Sequence, residues 1–77
     1  MANSPISNTI RTLRFHHNEM TQQQLADKAE VSRQTIVAIE KGKYSPSLEL
    51  AFRLALVFDT PLEEVFSYEP ITPKESK

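Results

Sequence analysis

The run Thr21-Gln22-Gln23-Gln24-Leu25-Ala26-Asp27-Lys28-Ala29-Glu30-Val31-Ser32-Arg33-Gln34-Thr35-Ile36-Val37-Ala38-Ile39-Glu40-Lys41-Gly42 carries two helix-start signals in close succession. Thr21 followed by Gln24 fits a capping box: the Thr hydroxyl accepts from a first-turn amide, and the Gln side chain reaches back to the cap. Ser32 is a good N-cap for a second helix, and Gly42 suits the position just past its end. Leu25, Ala26 and Ala29 face inward from the first helix, which ends near Glu30. Val31, Ile36 and Ile39 have the spacing of one buried face on the second. A turn confined to about residues 30–32 makes two such helices cross steeply. The small Ala26 lets them approach closely. Arg33, Gln34, Val37, Ala38 and Lys41 then fall on other faces, with Arg33 and Gln34 at the exposed N-terminal end.

Working outward, Ile6, Ile10, Leu13 and His17 recur at helical spacing and predict a first helix over residues 7–17. Asn18 and Glu19 break it. After Gly42, the loop Lys43-Tyr44-Ser45 leads to Pro46, which suits a first helical turn with Ser45 as cap. The helix that follows, residues 47–59, is apolar nearly all round, and such a helix is buried on more than one side. In a chain this small, its second side is expected to meet another subunit. Thr60-Pro61-Leu62-Glu63 starts a short fifth helix over residues 61–66, with Thr60 as cap and Glu63 closing a capping box. Residues 67–70 read as extended, Phe66 and Tyr68 being β-favouring. The expected domain covers residues 6–69. Residues 70–77, with two prolines and mostly polar side chains, are expected to be a disordered tail.

The chain has 77 residues, enough for one domain with a modest core. It has no Cys, which rules out disulfides and thiolate metal sites and raises the expectation of a dimer. No apolar run approaches the roughly 20 residues of a membrane span, and residues 1–7 show no secretion signal. A cytoplasmic location is the expectation. A net charge of −1 argues weakly against nucleic acid. Its distribution argues the other way. Residues 1–46 hold six Lys or Arg against four acids, and residues 47–77 hold three against six. An N-terminal face for DNA with an acidic far side has this pattern.

The chemistry of the second helix fits base recognition. A reading helix in the major groove touches base edges with its N-terminal residues. Arg33 can grip guanine O6 and N7 with two hydrogen bonds, and Gln34 can do the same for adenine N6 and N7. Val37 and Ala38, one turn on, suit thymine methyls. Gln22 and Gln23, at the start of the preceding helix, are placed for a phosphate, where the helix N-terminus adds partial positive charge. Lys41, Lys43 and Tyr44 follow the reading helix and suit the sugar-phosphate backbone, fixing register without carrying sequence information.

Thr21-Gln22 with Leu25-Ala26, the run Val31-Ser32-Arg33-Gln34-Thr35-Ile36, and Ile39-Glu40-Lys41-Gly42-Lys43-Tyr44-Ser45-Pro46-Ser47-Leu48 together resemble the XRE/Cro-CI family of DNA-binding regulators. The segments Ile10-Arg11 to Leu13-Arg14 and Pro61-Leu62-Glu63-Glu64-Val65-Phe66 resemble the family's short stand-alone members. The resemblance implies an all-α, five-helix, lambda-repressor-like domain with a helix-turn-helix. It implies a homodimer on an inverted-repeat operator in double-stranded DNA, with Gln22, Arg33, Gln34, Thr35, Val37 and Ala38 nearest the DNA. An Arg14–Glu40 ion pair is implied between the first and third helices. So is a small β-ribbon from the chain ends, here pairing residues 5–7 with 67–69. Repression by occluding a promoter follows from the same resemblance. Where the family often has Gly, this chain has Glu30; positive φ there costs a non-Gly residue on the order of 1 kcal/mol. Leu54, Val57, Leu62, Val65, Phe66 and Tyr68 are the candidates for the subunit contact.

The Val31, Ile36, Ile39 stripe is helical core, and the DNA reading rests on the opposite face. His16-His17 invites a metal reading, but adjacent residues point to different faces and no third His exists. Glu63-Glu64 suits the first turn of a helix better than acid-base catalysis. No nucleophile-base set or Gly-rich phosphate loop is present, so neither an enzyme nor a cofactor is expected. The competing function is an antitoxin or a protein-binding adaptor on the same helical fold.

Overall fold

The computed structural model describes residues 6–68. In them the chain runs β1 (Ile6–Asn8), α1 (Ile10–His16), α2 (Gln22–Ala29), α3 (Arg33–Glu40), α4 (Leu48–Val57), α5 (Leu62–Val65) and β2 (Phe66–Tyr68). Five helices and a two-stranded antiparallel ribbon from the chain ends make up the fold. The expected tail at 70–77 lies outside the described residues. Among the described residues no helix is long and apolar enough to cross a membrane.

Both start signals of the central pair are used. Thr21 accepts from the Gln24 amide while the Gln24 side chain accepts from the Thr21 amide, a complete capping box. The Ser32 hydroxyl accepts from the Thr35 amide and opens α3. Ile36 and Ile39 of α3 meet Leu25, Ala26 and Ala29 of α2, all with essentially no exposed surface. Leu54 and Phe58 from the α4 segment, Ile10 of α1 and Val65 of α5 close the core around them. Full burial of each Leu, Ile or Val contributes roughly 1.5–3 kcal/mol. The His17 ring meets the Phe58 ring edge-on at 5.2 Å, and its Nδ1 donates to the Leu13 carbonyl.

Three helices end alike. A residue with φ near +60° turns the chain, and the next amide bonds back to a carbonyl five residues earlier: Val31 to Ala26, Lys43 to Ala38, Thr60 to Ala55. The turning residues are Glu30, Gly42 and Asp59. Glu30, at φ 63° and ψ 43°, takes the left-handed conformation expected of the turn.

Several element boundaries differ from the sequence reading. The first helix starts at Ile10, because Ser7 and Asn8 enter the ribbon. The ribbon pairs Ile6 with Tyr68, Ser7 with Ser67 and Asn8 with Phe66. That is the expected register, carried one pair further in; Pro5 and Glu69 lie outside the described residues. The cap of α4 is Ser47, whose hydroxyl accepts from the Leu50 amide, so Pro46 precedes the helix instead of sitting in its first turn. Thr60 does not cap α5. Its hydroxyl donates to the Phe58 carbonyl, and Pro61 takes the cap position without a side-chain bond. Phe66 leaves the helix because its partner Asn8 draws it into the ribbon.

Replacing Glu30 by Gly removes the Cβ clash of the left-handed conformation, against a smaller entropic cost. We expect Glu30→Gly to stabilise the chain by up to about 1 kcal/mol in urea unfolding. A loss of stability would show that the turn does not need positive φ.

Candidate nucleic-acid interface

Helix α3 is built to leave one face free. Its inward residues Ile36 and Ile39 are fully buried, while Arg33 and Gln34 are exposed on its first turn. Among the described residues neither the Arg33 nor the Gln34 side chain makes a hydrogen bond or ion pair. Val37 and Ala38 are half-buried one turn on. Thr35 is half-buried and its hydroxyl shares a 3.0 Å hydrogen bond with Ser32, so it is partly committed to the cap.

The position of α3 is fixed by one carboxylate. Arg14 of α1 grips Glu40 through Nε at 2.7 Å and Nη2 at 3.1 Å, a two-point contact. The side chains retain only 15% and 10% of their exposure. Arg14 Nη1 also donates to the Met20 carbonyl at 2.9 Å. Gln22, first residue of α2, donates Nε2 to Glu40 Oε1 at 3.2 Å. One carboxylate thus joins the last turn of α1 and the start of α2 to the end of α3. Gln22 keeps a second amide hydrogen for an outside acceptor such as a phosphate oxygen. Gln23 is exposed and donates to Asp27 at 2.9 Å. Lys41, at the end of α3, and Lys43 and Tyr44, in the loop beyond it, are all exposed.

Two further ties to helix ends are not visible in the sequence pattern. Asn8 of the ribbon donates Nδ2 to the Ile39 carbonyl at 3.0 Å and accepts from the Ile10 amide at 3.1 Å. Arg53 of α4 donates to the Ala29 carbonyl at the end of α2. A polar residue in a strand and a cation on a mostly apolar helix are the only local hints of either. Among the described residues no group of three or more His, Cys, Asp or Glu is placed to hold a metal ion.

The subunit-contact candidates divide. Leu54 and Val65 are fully buried in the single chain, so they are core and have no surface to offer. Val57, Leu62 and Phe66 are partly buried against that core, and Tyr68 is exposed. The exposed apolar surface of α4 lies instead on Leu48 (67%), Phe52 (50%) and Leu56 (79%), one stripe at four-residue spacing. An apolar groove of about 710 Å³ continues from Leu48 past Ala51 and Leu62 to Phe66 and Tyr68.

Two short helices crossing over a tight turn, the second with a free outer face, define a helix-turn-helix protein. Comparison with known proteins agrees: a family model described as helix-turn-helix matches residues 10–65. An HTH-type transcriptional regulator of Methanocaldococcus jannaschii is 53% identical over 64 residues, spanning 83% of this chain and 96% of that protein. YgzD of Bacillus subtilis, also named an HTH-type transcriptional regulator, is 39% identical over 64 residues, with 83% and 96% covered. The transcriptional repressor RstR of the cryptic phage CTXphi in Vibrio cholerae is 36% identical over 61 residues, with 79% and 54% covered. The chain belongs to the helix-turn-helix family, of the XRE type.

Removing one partner of a mostly buried ion pair leaves the other charge uncompensated. Glu40→Ala is expected to cost about 3 kcal/mol in urea unfolding, and the double variant Arg14→Met/Glu40→Leu to recover much of that loss. A change under about 0.5 kcal/mol for Glu40→Ala, the range of ordinary surface substitutions, would contradict the role given to the pair.

Proposed function

We propose that this protein is a sequence-specific DNA-binding transcriptional regulator that represses by occupying an inverted-repeat operator as a homodimer. The observation that carries this reading is the state of Arg33 and Gln34. Both are exposed at the start of a helix whose opposite face is locked in the core, and among the described residues neither side chain has a hydrogen-bond or ion-pair partner. Arg33 reads guanine and Gln34 reads adenine through paired hydrogen bonds. Val37 and Ala38 lie against thymine methyls, and Thr35 flanks them. Gln22, Gln23, Lys41, Lys43 and Tyr44 hold the backbone on either side. The named relatives, transcriptional regulators and a phage transcriptional repressor, support the same reading.

The homodimer forms through the apolar face of α4 and the ribbon: Leu48, Phe52, Leu56, Leu62, Phe66 and Tyr68. Burial of an exposed apolar stripe on a chain this small supplies stability that its own core lacks. Symmetry then sets two reading helices about 34 Å apart, one turn of DNA. A protein-binding adaptor would use the same apolar face and leave Arg33 and Gln34 without a role.

Selection of bound duplexes from a random pool at moderate salt tests the reading. The expected product is an inverted repeat. Arg33→Ala should relax the choice at one position per half-site, a loss of about 1–3 kcal/mol for the preferred base. Lys43→Ala should weaken all duplexes alike and lower the salt slope by about 0.9 per half-site. A pool with no enriched repeat, or one enriched in a single unsymmetrical site, would overturn the operator or the dimer respectively.

A further inference from the structure

The chain has four arginines. Arg14 is bound to Glu40 and the Met20 carbonyl, and Arg53 to Glu49 and the Ala29 carbonyl. Arg33 and Arg11 remain. Among the described residues the Arg11 side chain makes no hydrogen bond or ion pair, and it is exposed. Arg11 is neither in α2 nor in α3, and it lies well before the helix-turn-helix in the chain. It nevertheless lines a cleft of about 580 Å³ together with Gln22, Val37 and Lys41, residues of the face that the proposed function assigns to DNA.

We infer that Arg11 and Lys41 clamp one DNA backbone phosphate in this cleft, beyond the contacts of the helix-turn-helix itself. The inference rests on the DNA-binding reading and extends its footprint to α1. Three observations carry it. The cleft joins the outer surface of α3, through Val37 and Lys41, to α1, through Arg11 and Arg14, so it opens beside the face assigned to DNA. Its charge is net positive: Arg14 and Glu40 neutralise each other, leaving Arg11 and Lys41 against Glu19 alone. Among the described residues the planar guanidinium of Arg11 has no donor engaged, and that group pairs with two phosphate oxygens at once, which a Lys cannot do. Arg14, the other arginine of the wall, already gives three of its five N–H donors to Glu40 and the Met20 carbonyl.

Salt dependence of duplex binding tests it directly. The probe is a duplex selected from a random pool by the wild-type chain. Loss of one phosphate contact per half-site lowers the slope of log affinity against log salt by about 0.9 per half-site. Arg11→Gln should show that decrease, with equal weakening for selected and unrelated duplexes. Arg11→Lys should retain the slope, and Glu19→Gln, which removes the opposing carboxylate, should tighten binding to all duplexes. Arg11 is exposed, and a circular dichroism melt matching wild type confirms that the variant folds. Wild-type binding with an unchanged slope in Arg11→Gln overturns this inference alone. A wild-type chain that binds no duplex overturns the functional reading and this inference with it.

Discussion

Everything that α3 presents to the outside depends on where Glu40 is held. The carboxylate sits at the end of α3, takes two bonds from Arg14 and one from Gln22, and is nearly closed to water. A buried carboxylate without partners would be expensive. Here every bond it accepts comes from a different helix than its own. Helix α3 therefore cannot roll or slide without leaving a charge unpaired. Hydrophobic contact through Ile36 and Ile39 supplies the attraction between α2 and α3, but apolar contact is non-directional and tolerates small rotations. The ionic contact supplies direction. Arg33 and Gln34 are thus aimed by a group one full helix length away.

The helix ends complete the fixing of α3. Asn8 bonds the Ile39 carbonyl from the ribbon, and Gly42 turns the chain away. Ser32 holds the other end. The ribbon is therefore more than a clasp for the termini: its first strand brings a side chain to the helix that the site is built on. Glu30 keeps a left-handed conformation without being Gly, a strain that the Val31 to Ala26 bond and the packing on both sides sustain.

Local signals were legible where a side chain acts on its own neighbours. Thr21 with Gln24, Ser32 and Gly42 carry their meaning within four residues, and the α2–α3 turn follows from them. Signals that compete were not separable from sequence. Ser45 before Pro46 reads as a cap, yet Ser47 two residues on takes that role, and Thr60-Pro61 resembles a start whose hydroxyl in fact bonds backward. Contacts of long sequence separation, Asn8 with Ile39 and Arg53 with Ala29, leave no periodic trace. The surplus of apolar residues on α4 was evident, but a helix apolar on all sides does not declare which stripe faces the core. Leu54 went inward; Leu48, Phe52 and Leu56 were left outside.

The proposed function requires that the outer face of α3 be the surface that meets DNA. Amide resonances of the isotope-labelled chain, followed during titration with a duplex selected from a random pool, report that surface residue by residue. The largest shifts should fall on residues 33–38, with smaller ones at residues 22, 41 and 43. Largest shifts on Leu48, Phe52 and Leu56, with residues 33–38 unmoved, would contradict it.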